Sequence, residues 1–226
     1  SFLLATSFFY FYICGFALRF QSRLNKEILN ESIEDLRGIP DLEIALRVYG
    51  HQSMVKAIII VPARMGATRF PGKMLAPLAG VPVVSYTAKA AKCVTGAAAV
   101  YVATDDELIA AAAKREGVEA IMTSTACANA PERVAEAYAQ LSARGEVADV
   151  VINLQGDAPL TPHWIVEDII KAFDDPAVSV ATPVVRCTAE TLALFRADRA
   201  RGMVGGTTAV LSQSGKALYF SKEVLP

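Results

Sequence analysis

The pattern of apolar and polar positions changes character at Lys56. From there on, short apolar runs of strand length alternate with segments whose apolar residues recur at helical spacing. Ile58 to Val61 is purely apolar and β-branched, which suits a strand buried on both faces of a sheet. Ala98 to Ala103, Val118 to Met122, Val147 to Asn153 and Val178 to Pro183 read as further strands. Val83 to Val94, Glu107 to Glu116, Glu132 to Ala143 and Trp164 to Phe173 read as helices. Such alternation predicts an α/β fold of three layers, a mostly parallel sheet with helices on both faces. Near the end, Thr207 to Leu211 and Ala217 to Ser221 flank Ser212-Gln213-Ser214-Gly215 and predict a β-hairpin.

Ahead of Lys56 the pattern differs. Asn25 to Tyr49 carries Ile28, Leu29, Ile33, Leu36, Leu42, Ala45 and Leu46 at helical spacing, interrupted by Gly38-Ile39-Pro40, and predicts two amphipathic helices. Phe2 to Leu18 has no charge until Arg19 and approaches the ~17 to 25 residues of a membrane helix. It lacks the basic start and small-residue cleavage site of a secretory signal. Arg19, Arg23 and Lys26 would hold the following chain in the cytoplasm. A membrane anchor through residues 2–18 and an apolar terminal extension are both consistent with this stretch. The expected organisation is an N-terminal segment with a helical extension over 1–55, and one domain over 56–226.

Composition narrows the partners. A formal net charge of −1 argues against nucleic acid as a partner, since binding it usually needs a basic surface. Cys14, Cys93, Cys127 and Cys187 are scattered without CxxC spacing, which implies neither a zinc knot nor a disulfide framework and fits a cytoplasmic, reducing compartment.

The chemistry concentrates at predicted strand ends. Directly after Val61, Pro62 and Gly66 bend the chain, Arg64, Arg69 and Lys73 supply three cations, Thr68 a hydroxyl, and Pro71-Gly72 a second turn. No acid in this loop pairs with the cations, and carboxyl ends of parallel strands are where α/β sheets bind ligands, so an anion is expected. The spacing matches neither a Walker A loop nor a three-glycine dinucleotide motif. Val150 to Leu154 ends in Gln155-Gly156-Asp157, a polar turn holding a carboxylate that can serve as a magnesium ligand. Asp105 and Asp106 follow a third strand end, where Asp105 is expected to cap the next helix.

These residues carry a resemblance. Val61-Pro62-Ala63-Arg64 with Thr68-Arg69-Phe70-Pro71-Gly72-Lys73 resembles the nucleotide-binding signature of the sugar-acid cytidylyltransferases, most closely the 3-deoxy-manno-octulosonate (Kdo) cytidylyltransferases. The likeness continues in family order through Val102 to Glu107, Met122-Thr123-Ser124, Arg133 to Ala137, Asn153 to Asp157, Ala181-Thr182-Pro183 and Leu218 to Ser221. It implies a Rossmann-like nucleotide-diphospho-sugar transferase fold. It also implies transfer of CMP from CTP to Kdo or a related acidic sugar, with Mg2+, release of pyrophosphate, a role in lipopolysaccharide precursor synthesis and a homodimer. By the same resemblance, Ala63, Arg64, Thr68, Arg69, Lys73 and Arg133 bind nucleotide, and Asp157 holds the metal. Arg64, Lys73 and Asp157 are the catalytic set, and Gln155 and Tyr219 face the sugar.

Several positions depart from the family. Ala158 stands where Glu is usual, Ala130-Pro131 replaces Gly-Thr, and Lys222 replaces Arg. Gly205-Gly206-Thr207-Thr208 replaces a segment that normally carries a lysine, and family members continue beyond Pro226 into further sugar and metal groups. Two other readings therefore stay open: a nucleotidyltransferase of the same fold with another acceptor, such as sialic acid, and a truncated or non-catalytic relative.

Overall fold

The computed structural model describes residues 9–11, 15–19, 55–66 and 70–224. The helices expected between Asn25 and Tyr49, together with Thr68 and Arg69 of the basic loop, lie outside these residues. In chain order the strands are β1 (Phe9–Phe11), β2 (Gly15–Arg19), β3 (Ala57–Ala63), β4 (Pro77–Leu78), β5 (Val81–Pro82), β6 (Ala97–Thr104), β7 (Glu119–Met122), β8 (Val150–Leu154), β9 (Val180–Ala181), β10 (Val185–Arg186), β11 (Thr207–Leu211) and β12 (Ala217–Ser221). The helices are α1 (Val83–Lys92), α2 (Glu107–Arg115), α3 (Ala130–Ala143), α4 (His163–Ala172) and α5 (Ala189–Ala200). The chain divides into two compact units, one of residues 1–15 with 182–226 and the other of residues 16–181. This division cuts the chain at other places than residue 55.

The unit of residues 16–181 is built on a six-stranded sheet in the order β7-β6-β3-β8-β2-β9. The pairs β3–β6, β3–β8 and β6–β7 are parallel, whereas β2 and β9 are antiparallel. All seven residues of β3 are buried, as their unbroken apolar run requires of a central strand. Alternate β3 side chains serve two cores. Ala57, Ile59, Val61 and Ala63 pack with α1, α2 and α4 through Val84, Ala88, Ile109, Ala112, Val166 and Ile170. Ile58 and Ile60 face α3 through Val134, Ala137, Tyr138 and Leu141. This arrangement is the expected three-layer sandwich, and each fully buried isoleucine of β3 contributes roughly 2 to 3 kcal/mol.

The connections locate a crevice. From β3 the chain passes through α1 to β6 and through α2 to β7, always moving outward on one side. It then crosses the opposite face through α3 and re-enters as β8, on the other side of β3. Right-handed crossovers require that change of face when the direction reverses. The reversal lies between the carboxyl ends of β3 and β8, where open α/β sheets place their ligands.

Two helix starts differ from expectation in an instructive way. α3 begins at Ala130, two residues before Glu132, because Asn129 caps it and Pro131 occupies the first turn, where a missing N–H costs nothing. At α2 the cap is Asp106, whose Oδ1 accepts from Leu108 N and Ile109 N at 2.9 and 3.1 Å. This corrects the assignment to Asp105, whose carboxylate is engaged elsewhere.

In the other unit, β10, β1, β11 and β12 form an antiparallel sheet, and the hairpin has the bounds its sequence predicts. Residues 9–11 and 15–19 are strands, so a single membrane helix over 2–18 is corrected. Phe and Tyr fit a pleated strand at least as well as a helix. Among the described residues no helix is long and apolar enough to cross a membrane. α5 is capped by Thr188 and has no buried residue, which explains why its apolar pattern failed to announce it. Arg199 organises this unit from α5, donating to the carbonyls of Lys222 at 2.6 Å, Met203 at 2.9 Å and Gly206 at 2.9 Å.

Candidate functional site

Because β3, β6, β7 and β8 run parallel, Arg64, Asp105, Thr123 and Gln155 all emerge on one edge of the sheet. Arg64 follows β3 and donates from Nη1 to the carbonyl of Ala128, 3.3 Å away on the loop before α3. The basic loop then closes on itself, with Gly72 N donating to Met65 O at 3.0 Å and Lys73 N to Phe70 O at 3.3 Å. Gly72 holds φ +74°, a conformation that favours glycine. This turn returns Lys73 to the end of β8, where its Nζ makes a direct ion pair with Asp157 Oδ2. Both side chains are about a third exposed, at 31% and 32%. The two charges that the sequence placed 84 residues apart therefore meet at the switch point.

The turn carrying Asp157 is clamped from two sides. Gly156 N donates to Pro62 O at 3.3 Å, and the buried hydroxyl of Thr87, on α1, donates to Gly156 O at 2.8 Å. The approach of the β3 and β8 ends is so close that a Cβ on Gly156 would stand 2.7 Å from Pro62 O. Met74 Sδ, 3.2 Å away, can yield, but the carbonyl of a fully buried strand cannot. Gly156→Ala is accordingly expected to destabilise the fold by about 1 to 3 kcal/mol, the usual range for overpacking, in chemical denaturation. An unchanged midpoint would show that the turn has room to move.

Arg133 lies 2% exposed at the start of α3. Its Nη2 donates to Asp105 Oδ2 at 2.8 Å and its Nη1 to the hydroxyl of Thr123. The guanidinium thus ties the ends of β6 and β7 to α3, and in this arrangement it faces protein groups and not an open surface. Ala63 is 2% exposed, so contact to a ligand from this residue falls to its backbone. Gln155 Nε2 donates to Asn153 Oδ1 at 3.2 Å, which fixes the side-chain amide beside Asp157. Asn153 Nδ2 is the buried side-chain donor without a partner among the described residues. Tyr219 lies on β12 in the other unit, 58% exposed.

Sequence reasoning missed the anchor of the loop between β7 and α3. Glu136, on α3, accepts from Ser124 N at 2.8 Å and from Cys127 Sγ at 3.0 Å. The Cys127 bond, then the Ser124 amide, holds its carboxyl below the ordinary carboxylate range, while burial pushes the Cys127 thiol up. A carboxyl lowered by folding contributes order above its unfolded titration range, and that contribution is lost as pH falls through its lowered value. Protection of the Ser124 amide from hydrogen exchange should therefore hold near neutrality and fall in acid. Glu136→Ala should remove this pH dependence and speed exchange at neutral pH about tenfold, in keeping with a bond to a charged group. Equal exchange in both proteins would contradict the assignment.

The donor set limits what metal the site can take. Among the described residues no group of three or more His, Cys, Asp or Glu side chains could cage an ion. Asp157 alone beside a lysine fits Mg2+ arriving on a polyphosphate, since that ion is commonly bound by one or two carboxylates plus phosphates and water.

Residues 58–226 match the family model described as cytidylyltransferase. The chain is 42% identical over 173 residues to the 3-deoxy-manno-octulosonate cytidylyltransferase of Maricaulis maris (strain MCS10), covering 76% of this chain and 66% of that protein. It is 43% identical over 168 residues to the protein of the same name from Anaeromyxobacter sp. (strain K), covering 74% and 64%. The solved structure of CMP:2-keto-3-deoxy-manno-octonic acid synthetase complexed with CTP superposes with a TM-score of 0.61 at 31% identity, over 76% of this chain and 66% of that one. The chain spans 64% to 66% of the length of these relatives.

Proposed function

The chain belongs to the cytidylyltransferase family, and from that membership we propose that it transfers CMP from CTP to 3-deoxy-manno-octulosonate or a closely related acidic sugar, releasing pyrophosphate. The observation that carries this reading is the meeting of Lys73 with Asp157 where the described parallel strands reverse direction, between the end of β3, which leads into Arg64, and the end of β8.

The reaction is a displacement at the α-phosphorus by the anomeric hydroxyl of the sugar acid, so positioning and charge stabilisation supply most of the catalysis. Arg64 and Lys73 place positive charge against the triphosphate, and Arg69 and Thr68 add to the same loop. Lys73 offsets charge that grows on the departing pyrophosphate. Asp157 would hold a Mg2+ that accompanies CTP, and that ion would supply neutralisation of phosphate charge. Arg64, held against the Ala128 carbonyl, links the triphosphate loop to the loop before α3, and that loop is braced by Glu136 and the Arg133 network. Gln155 offers an amide on the acceptor side of Asp157, oriented by Asn153.

Calorimetric titration of CTP, UTP, ATP and GTP, with and without magnesium, tests the nucleotide half of this reading. Binding selective for CTP and dependent on magnesium is expected. Equal binding of all four nucleotides would point to a nucleotidyltransferase of other specificity, and no binding of any would overturn the reading.

A further inference from the structure

Lys73 and Asp157 are each assigned a separate duty above, yet the structure joins them to each other. A carboxylate engaged by an ammonium group is a poor ligand for a second cation, because the two cations repel across one anion. Asp157 can accept a divalent ion only as Lys73 turns away. The ammonium so released needs an anion, and the β- and γ-phosphates that arrive with the ion supply it. A triphosphate arriving alone meets the opposite situation: Lys73 is still drawn to Asp157, and the carboxylate repels the incoming phosphates.

We propose that the Lys73–Asp157 ion pair is a specificity-determining unit, which admits the triphosphate as its divalent-cation complex and rejects the metal-free anion. This rests on the cytidylyltransferase reading and adds a thermodynamic coupling to it. By linkage, whatever the metal does for nucleotide affinity, the nucleotide does for metal affinity. The clamped backbone makes such an exchange of partners local. Gly156 is fixed by Thr87 and Pro62, and Lys73 by the turn closed at Gly72, so only the two side chains need to rotate.

The test has two arms on the whole chain, neither reading catalysis. In the first, CTP is titrated in the presence of EDTA; Asp157→Asn should bind metal-free CTP about tenfold more tightly than the wild type, and the preference for the magnesium complex should shrink accordingly. In the second, Mn2+ is titrated without nucleotide and followed by electron paramagnetic resonance. Lys73→Ala should bind Mn2+ about tenfold more tightly than the wild type, and the added Asp157→Asn change should abolish that gain. Both side chains are partly exposed, so neither substitution enters the core. A change of less than about twofold in either arm overturns the proposal, since the coupling is reciprocal. If the wild type selects magnesium–CTP over magnesium–GTP while an arm fails, the proposal alone fails. If that selection is missing, the functional reading fails and the proposal falls with it.

Discussion

Lys73→Ala is expected to weaken binding of the magnesium–CTP complex by a hundredfold or more, with pyrophosphate release falling at least as far. The structure delivers the ammonium group of Lys73 to the end of β8, against Asp157. A hundredfold loss corresponds to about 2.7 kcal/mol, within reach of one charge-assisted contact to phosphate in a partly shielded cleft. The effect is chemical and not structural. Lys73 is partly exposed and its side chain belongs to neither core cluster, so the melting temperature should stay within the range of ordinary surface substitutions. Lys73→Arg should recover only part of the loss, because a planar fork replaces a compact point charge. Wild-type affinity in Lys73→Ala would remove the loop from the site.

Arg133→Met is expected to cost about 3 kcal/mol of folding stability, the largest single effect outside the basic loop. Methionine fills similar volume, but it leaves Asp105 without its partner and the Thr123 hydroxyl without its donor. Breaking a buried pair costs about 3 to 5 kcal/mol, and the 16% exposure of Asp105 places this case at the low end. The companion change decides the mechanism. Arg133→Met combined with Asp105→Asn should be more stable than Arg133→Met alone, since no uncompensated carboxylate remains. Additive losses in urea denaturation would show that the two side chains do not act as a unit.

That the basic loop and Asp157 lie at neighbouring strand ends was legible in the sequence for a physical reason. Ile58 to Val61 declares a strand buried on both faces, and glycine, proline and three cations with no acid in the same loop directly after it point to an anion. Asp157 was legible in the same way, from Leu154 ending a buried run. What the sequence did not disclose were contacts made by ordinary residues across large separations. Thr87 reads as a helix-interior threonine, yet its hydroxyl holds the Gly156 carbonyl 69 positions away. Glu136 reads as the solvated face of α3, yet it anchors the loop from Ser124 to Cys127. Asp105 and Asp106 are adjacent acids before a helix, and either could cap it; only the position of Arg133 makes Asp105 the ion-pair partner and leaves the cap to Asp106. α5 escaped notice because it buries no side chain and so carries no strong apolar stripe.

The departure at Ala130-Pro131 also looks different in structure. The proline removes a donor only where the first turn of α3 has no intrahelical use for one, and Asn129 and Glu132 provide the capping contacts around it. The brace that Arg64 finds at Ala128 O is one residue before that cap. Ala130 and Pro131 thus keep a capped helix start.

The most direct measurement is pyrophosphate release by the full chain supplied with CTP, magnesium and 3-deoxy-manno-octulosonate, with the nucleotide product identified by mass. Acceptor-dependent release with formation of the CMP–sugar, absent when GTP replaces CTP and strongly reduced in Lys73→Ala and Asp157→Asn, is the predicted result. Magnesium–CTP binding at Lys73 and Asp157 with no CMP transferred to any acidic sugar would contradict the assignment of cytidylyl transfer to this chain.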